Sequence, residues 1–409
     1  MEYKHLILIK EGAAEIYVHS ADKDSIPSKS MNVFYNKKME INRDITNLAI
    51  IAYTKLFNQD PLIILDSMAA SGVSSIRMLK ECENIKKIYI NDLNPLAIDL
   101  IHKNILKNNL SNSDIEIEIS RKDANFLFSE IVQESYLYPN MEIHKPNIIS
   151  IDPFGTPNLY IDSAFKAIQR KNGLMCITAT DTAVLFGIRP STCLRKYMSK
   201  PLHTDYCKEI GARILVYFIS RIANINGMGI LPLLTFYANH FIRVFGLTFK
   251  NKQEITDSFK NYGYIIHCSN CGYRSTINDI LFQFPQKCPS CESIKTIDYA
   301  GPLWNDKLHN ETFISELIIL NDNFKYKNKK RLHKLLTLAN DEISMPPTYY
   351  NLHKLSQKLN LQFVPKINDV INIIKKKGYK VSRTHFDYLS IKTNMDIKSL
   401  ENCLLNLKK

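Results

Sequence analysis

The chain has 409 residues, 45% of them apolar and 10% aromatic, enough for roughly two to three domains and too much for one small one. Its 53 Lys and Arg against 40 Asp and Glu give a formal charge of +13, and residues 301–409 alone carry 19 basic and 10 acidic side chains. A surplus gathered at one end suits a polyanionic partner, because each basic side chain near a phosphate releases counterions, although a lysine-rich solvated surface reads the same way.

The opening "MEYKHLILIKEG" has a four-residue apolar run and an early acid, which fits neither a signal peptide nor a transit peptide. No apolar segment reaches the ~18 residues that span a bilayer. Nine cysteines, an odd number without a secretory signal, point to a reducing compartment. The expectation is a cytoplasmic protein with no membrane partner and no evident obligate protein partner.

Strand-like and helix-like stretches then alternate. "PLIILD" (61–66), "KKIYINDLNP" (86–95), "DIEIEIS" (114–120), "NIISID" (147–152) and "GLMCITAT" (173–180) read as strands. "GVSSIRMLKEC" (72–82), "LAIDLIHKNILKNN" (96–109) and "YIDSAFKAIQRK" (160–171) have helical spacing. This predicts a Rossmann-like, doubly wound α/β domain, whose ligand lies beyond the carboxyl ends of the strands. Asp66, Asp92 and Asp123 each end a strand or follow one closely. The loop after Asp66, "SMAASGVSS", is made of small residues but lacks the G-x-G-x-x-G fingerprint of a pyrophosphate site. That combination suits a ligand with an adenosine and no phosphates. Asp92 is placed to accept from ribose hydroxyls, and Asp123 and Ala124 to border the adenine. S-adenosylmethionine fits better than NAD. Singly, each acid reads as a helix cap or turn residue; three in register at strand ends read as a site.

Asp152 is a fourth such acid, followed by Pro153, Phe154 and Gly155. Pro153 has no N–H and stops the ladder while leaving its carbonyl free. An exocyclic amine on a nucleobase is a poor nucleophile, because its lone pair is delocalised into the ring. A carboxylate and a carbonyl that both accept from it can rotate the amine and aim the lone pair at a sulfonium methyl group. Phe154 can stack on the base, and Gly155 lets the loop turn close beneath it. Alone, "DPFG" also reads as an ordinary turn.

The second half opens on "GILPLLTFYANHFIRVFGLTF" (229–249), a buried strand-like junction. The division is expected near Leu233, giving domains at 1–233 and 234–409. Cys268, Cys271, Cys288 and Cys291 form a C-x₂-C-x₁₆-C-x₂-C pattern, which predicts a zinc ribbon at about 264–300 with a closed, structural Zn²⁺ site. Trp304, the single tryptophan, reads as a buried interdomain anchor. "FKYKNKKRLHK" (324–334) and "IKKKGYKVSRTHF" (374–386) interleave basic and aromatic residues, as RNA-binding surfaces and solvated helix faces both do. Residues 346–385 read helix, helix, strand, compatible with a winged-helix-like unit.

"VFYNKKMEINRD" (33–44), "DSMAASGVSSIR" (66–77), "NDLNPLAI" (91–98), "IDPFGTP" (151–157), "TATDTAVLFG" (178–187) and "GPLWNDKLHN" (301–310) occur in this order. Together they resemble the tRNA guanine-26 N2-dimethyltransferase family, from about residue 11 to the C-terminus. The resemblance implies a class I methyltransferase domain followed by an α+β C-terminal domain that helps to hold tRNA. It implies transfer of one or two methyl groups from S-adenosylmethionine to guanine N2. By motif position, Arg43 would contact the methionine end of the cofactor, Asp66 would border its loop, and Asp92 would hold the ribose. Asp123 and Ala124 would border the adenine. Asp152, Pro153 and Phe154 would hold the target base, with Phe34 lining the same pocket. The loop after Asp66 departs from the family pattern, with Ser74 where a basic residue is usual; Arg77 is the candidate substitute. A methyltransferase for another nucleobase amine and a non-enzymatic zinc-ribbon RNA-binding protein are the alternatives.

Overall fold

The β-branched runs of the first half become strands, and the amphipathic stretches between them become helices. The computed structural model describes residues 6–20, 31–58, 60–137, 145–278 and 283–407. A hairpin of β1 (Leu6–Glu11) and β2 (Ala14–His19) precedes α1 (Glu40–Leu56). The alternation then runs β3 (Leu62–Asp66), α2 (Val73–Glu81), β4 (Ile85–Asn91), α3 (Pro95–Lys107), β5 (Glu116–Ser120) and α4 (Ala124–Leu137). It continues through β6 (Ile148–Ile151), α5 (Ile161–Ala167) and β7 (Leu174–Ala179). Short helices α6 (Thr182–Leu185) and α7 (Pro190–Tyr197) lead to the long α8 (Cys207–Ile225), then to β8 (Gly229–Ala238) and β9 (Phe241–Phe249). Local chemistry sets several boundaries. α3, for example, starts where Asn94 accepts from the Leu96 N–H at 3.0 Å and Pro95 takes the first helical position.

Seven strands form one sheet in the order β5-β4-β3-β6-β7-β9-β8. β3 to β7 run parallel, while β9 is antiparallel to both β7 and β8. This is the α/β arrangement the sequence predicts. The chain leaves β3 toward β4 on one side and returns to β6 on the other, so the gap between the ends of β3 and β6 is the topological switch point. In open α/β sheets the ligand crevice lies there. The expected division near Leu233 falls inside β8, and β8 and β9 carry the sheet on to Phe249. A cut at residue 233 would sever a hydrogen-bonded ladder, so the first unit reaches about Phe249.

The second half begins with α9 (Lys252–Asp257) and a three-stranded sheet of β10 (Tyr262–Cys268), β11 (Arg274–Ile277) and β12 (Ile297–Trp304). Helices α10 (Glu311–Asn323) and α11 (Lys329–Asp341) follow. The terminal unit holds β13 (Tyr350–Asn351), α12 (Leu352–Lys358), α13 (Ile367–Lys376), β14 (Val381–Arg383), β15 (Ser390–Thr393) and α14 (Ile397–Leu405), with β15 central in its small sheet. Helix, helix and a two-strand wing match the expected winged-helix-like order.

The two halves share their cores. Phe313, Ile314 and Leu317 of α10 belong to the same apolar cluster as Ile45, Leu48 and Ala52 of α1. Trp304 is buried, packs 6.1 Å from Tyr262, and donates its indole N–H to the Lys307 carbonyl at 3.0 Å. Arg213 of α8 donates to the Trp304 carbonyl at 2.8 Å, which makes the tryptophan the interdomain anchor expected of it.

Candidate active site

Four acidic residues converge on the carboxyl edge of the sheet. Asp66 is the last residue of β3 and is buried, accepting from the Ser75 hydroxyl at 2.6 Å. Burial pushes its carboxyl up to about 6, with the Ser75 bond opposing and the neighbouring Asp152 charge adding to the rise. Asp92 follows β4 and accepts from the backbone N–H groups of Ala70 and Asn94, both at 2.8 Å. It thereby pins the small-residue loop after β3, where Ala70 and Gly72 adopt left-handed φ of 49° and 74°. Its two oxygens offer about four acceptor positions, so ribose hydroxyls can still be accommodated. Burial raises the Asp92 pKa despite the backbone bonds.

Asp152 directly follows β6, across the switch point from Asp66. It accepts from the Asn42 amide at 3.2 Å, and Thr178 on the next strand stands close enough to lower its pKa. Burial raises its pKa, while Arg243, Thr178 and Arg43 pull the other way. The loop beyond it is fixed from β7: Gly155 N–H donates to the Thr180 hydroxyl at 2.7 Å, and Thr180 N–H returns to the Gly155 carbonyl at 2.8 Å. Tyr197 bridges Thr156 and Asp181 at 2.9 and 2.8 Å. Pro153 is buried while Phe154 stays 50% exposed. Phe34 meets it edge-on, with ring centroids 5.9 Å apart, so the two rings expected to line one pocket do lie together. Gly155 has φ +113°, where only glycine is comfortable, and among the described residues nothing lies within 4 Å of where a Cβ would sit. The turn's conformation alone requires the glycine.

Other expected residues carry structural work. Asp123, exposed, caps α4 by accepting from the N–H groups of Asn125 and Phe126 at 2.9 and 3.3 Å, and Ala124 is the first, buried residue of that helix. Arg43 is buried and pairs bidentately with Glu11 of the N-terminal hairpin, at 2.5 and 2.7 Å. Glu11 also receives Tyr35 at 3.0 Å and Arg77 at 3.1 Å. Arg77 does not take the place left by Ser74: its guanidinium is fully buried and held by Glu11, Asp44 and Glu81. Tyr326 and Asn328, just before α11, bond Glu81 and Asp44 at 2.7 and 3.0 Å, tying the C-terminal half into the same network.

The site suits an adenosine-bearing cofactor. At this edge Asn42 Oδ1 and Ser71 Oγ are buried and have no partner among the described residues, and the spare acceptor positions on Asp92 complete a set that a nucleoside can satisfy. Sequence reading missed Asn42, Thr178, Thr180, Glu11 and Arg243. The signal that was there for Arg243 was one basic residue inside the buried strand "FIRVFGLTF".

The four cysteines gather into one cluster. Cys268 Sγ lies 3.7 Å from Cys291 Sγ, and Cys271 Sγ lies 3.6 Å from Cys288 Sγ. Four thiolates tetrahedral around zinc at about 2.3 Å stand about 3.8 Å apart, so the set fits the metal. Each half is the same knuckle. Gly272 N–H donates to the Cys268 carbonyl and Glu292 N–H to the Cys288 carbonyl, both at 2.9 Å. Tyr273 and Ser290 N–H groups donate to Cys271 and Cys288 sulfurs at 3.4 Å.

Comparisons with known proteins agree with this geometry. Residues 12–405 match the family model for N2,N2-dimethylguanosine tRNA methyltransferase. The chain is 36% identical over 401 residues, covering 98% of itself and 97% of the other protein, to a tRNA (guanine(26)-N(2))-dimethyltransferase of Methanosphaera stadtmanae. It is 31% identical over 401 residues to a tRNA (guanine(26)-N(2)/guanine(27)-N(2))-dimethyltransferase of Aquifex aeolicus, covering 96% of itself and 94% of that protein. Among solved structures, Trm1 from Pyrococcus horikoshii in complex with S-adenosyl-L-methionine superposes with a TM-score of 0.82 at 28% identity, covering 98% of this chain and 100% of that one.

Proposed function

This chain belongs to the N2,N2-dimethylguanosine tRNA methyltransferase family and is an S-adenosylmethionine-dependent enzyme acting on guanine N2 of tRNA; we propose that it transfers one or two methyl groups to guanine 26, with Asp152, Pro153 and Phe154 holding the base. The observation that carries this reading is the position of Asp152. It stands at the switch point of the sheet, opposite Asp66, with the Phe34 and Phe154 rings beside it.

When bound, S-adenosylmethionine supplies an electrophilic methyl group on sulfur. Arg43, Asp66, Asp92, Asp123 and Ala124 are the residues proposed to hold it. Asp152 and the Pro153 carbonyl accept the two N–H groups of N2 and turn its lone pair out of conjugation. The methyl group would exchange its bond to sulfur for one to N2, leaving a neutral thioether, and the proton that the amine gives up would pass to the Asp152 carboxylate already accepting it. Guanine 26 has to be turned out of the tRNA stack to reach this edge, and the two phenylalanines offer rings to replace the lost stacking.

The C-terminal half, with its surplus of Lys and Arg, is proposed to grip tRNA phosphates and set the distance to the site. Zn²⁺ held by Cys268, Cys271, Cys288 and Cys291 is proposed to be structural, since four thiolates leave no open position. No helix among the described residues is long and apolar enough to cross a membrane; the cytoplasm, where tRNA is modified, is the proposed location.

The test is mass spectrometry of tRNA nucleosides after incubation with the protein and S-adenosylmethionine. N2-methyl- or N2,N2-dimethylguanosine at position 26 is the expected product. Methylation confined to another position or another base would refute the assignment, and would favour the reading of an enzyme for a different nucleobase amine.

A further inference from the structure

Arg243 is the anomaly of the buried sheet. It lies on β9 and is 1% exposed, yet its bonds among the described residues go only to hydroxyls. Nη1 donates to Thr178 Oγ1 at 2.6 Å, and Nη2 donates to Thr46 Oγ1 at 3.2 Å and Ser150 Oγ at 3.4 Å. Nε is buried without a partner, and the Phe245 ring lies 5.1 Å from the guanidinium carbon. A cation taken out of water and given only neutral partners is expensive to keep. A plain packing role would be met more cheaply by an apolar side chain, as at its neighbours Ile242 and Val244.

The direction of the hydrogen bonds shows what the charge is for. A guanidinium can only donate, so Thr178 Oγ1 is the acceptor of the Arg243 bond. Its own hydrogen is left to donate, and the carboxylate beside it is Asp152, whose pKa Thr178 lowers. Asn42 of α1 also donates to Asp152 Oδ2, at 3.2 Å. Asp152 is therefore flanked by donor groups, an arrangement that favours its carboxylate form, the form that takes N–H groups from an amine. The groups acting on it are Arg243, Thr178, Arg43 and Asn42, with Asp66 across the switch point coupled to it; Thr46 and Ser150 lie on the Arg243 guanidinium. The Asp152 charge adds to the rise of the Asp66 carboxyl to about 6, and burial pushes the Cys176 thiol, which lies near Asp66 and Arg243, up to about 11. Arg43 already shares its charge with Glu11, so Arg243 is the cation left without a carboxylate of its own.

We propose that Arg243 is a positioning residue for methyl transfer: through Thr178 it aims Asp152 and holds it ionised in front of the guanine N2 amine. The inference rests on the role assigned to Asp152 above and extends it to a residue on β9, two strands away from β6 in the sheet.

The experiment is the pH profile of single-turnover methyl transfer to tRNA for wild type, Arg243→Gln, Arg243→Lys and Thr178→Val, with S-adenosylmethionine affinity measured by calorimetry on each. The acidic limb of the profile should move up by about one pH unit or more in Arg243→Gln, and by less in Thr178→Val. Arg243→Lys should restore most of the wild-type limb, and cofactor affinity should stay within about two-fold, well under the tenfold step of ~1.4 kcal/mol. A limb in the wild-type place, or a rate lowered by the same factor at every pH, would overturn the proposal. If Arg243→Gln does not fold, Thr178→Val decides alone, because it removes one hydroxyl and keeps the volume. Asp152→Asn separates the two ideas. If that variant is fully active, the reading of Asp152 fails; if it is inactive while the limbs above stay unshifted, only the role of Arg243 fails.

Discussion

Phe34 stands edge-on to Phe154, centroids 5.9 Å apart and planes at 81°, joining the segment before α1 to the loop after β6. Such an arrangement favours rings by their quadrupoles, and it leaves the Phe154 ring half exposed beside Asp152. A flipped base sliding beside it would exchange water contact for ring contact.

Phe154→Ala should therefore weaken use of tRNA without touching the cofactor. Loss of one stacking partner costs about 1–3 kcal/mol, a fall of roughly five- to 150-fold in kcat/KM for tRNA. Calorimetric affinity for S-adenosylmethionine should be unchanged. A variant with wild-type kcat/KM would show that the ring is surface packing and nothing more.

Metal should be found in the ribbon. Cys288→Ser should lower zinc content by one equivalent and reduce the melting temperature, because one of the two knuckles loses its ligand. Methyl transfer at low temperature should persist, since the cluster lies apart from the strand-end carboxylates. Unchanged zinc stoichiometry by metal analysis would contradict the assignment.

Stability should carry a pH signature at the junction of the halves. His309 is buried beside Glu342, which also contacts His385 and lies 3.5 Å from Lys392. Burial, with His385 close by, holds the His309 pKa down to about 4, although Glu342 opposes the fall. Between about pH 4 and 6.5 the unfolded chain binds a proton there that the folded chain does not, so this group makes stability rise with pH across that window. His309→Gln should flatten the dependence of unfolding free energy by up to about 1.4 kcal/mol per pH unit within it. An identical slope in wild type and variant would show that His309 titrates normally.

How far these features could be read from residues alone follows from their range. The alternation of β3 to β7 with helices, the strand-end acids and the spaced cysteines are local patterns, and the seven-strand order of the sheet agrees with them. The division at Leu233 was misplaced because an apolar junction and two central strands look alike until their pairing is known; β9 inserts between β7 and β8. Arg77 looked available because nothing local shows that Glu11, Asp44 and Glu81 surround it. Asp123 shows the converse, a site candidate whose capping bonds were the ordinary expectation for its type. Arg243 was hidden for the same reason as the boundary, since its partners Thr46, Ser150 and Thr178 come from three other elements.

The most direct test of the account is Asp152→Asn, assayed for methyl transfer and for tRNA binding on the same preparation. Asparagine keeps the shape and one acceptor but loses the charge that, beside the Pro153 carbonyl, draws an N2 hydrogen. The account predicts a fall in the single-turnover rate of at least about a hundredfold, with the Kd for tRNA within about two-fold of wild type, since phosphate contacts elsewhere supply the affinity. A near-normal rate, or a loss of tRNA binding as large as the loss of rate, would contradict it.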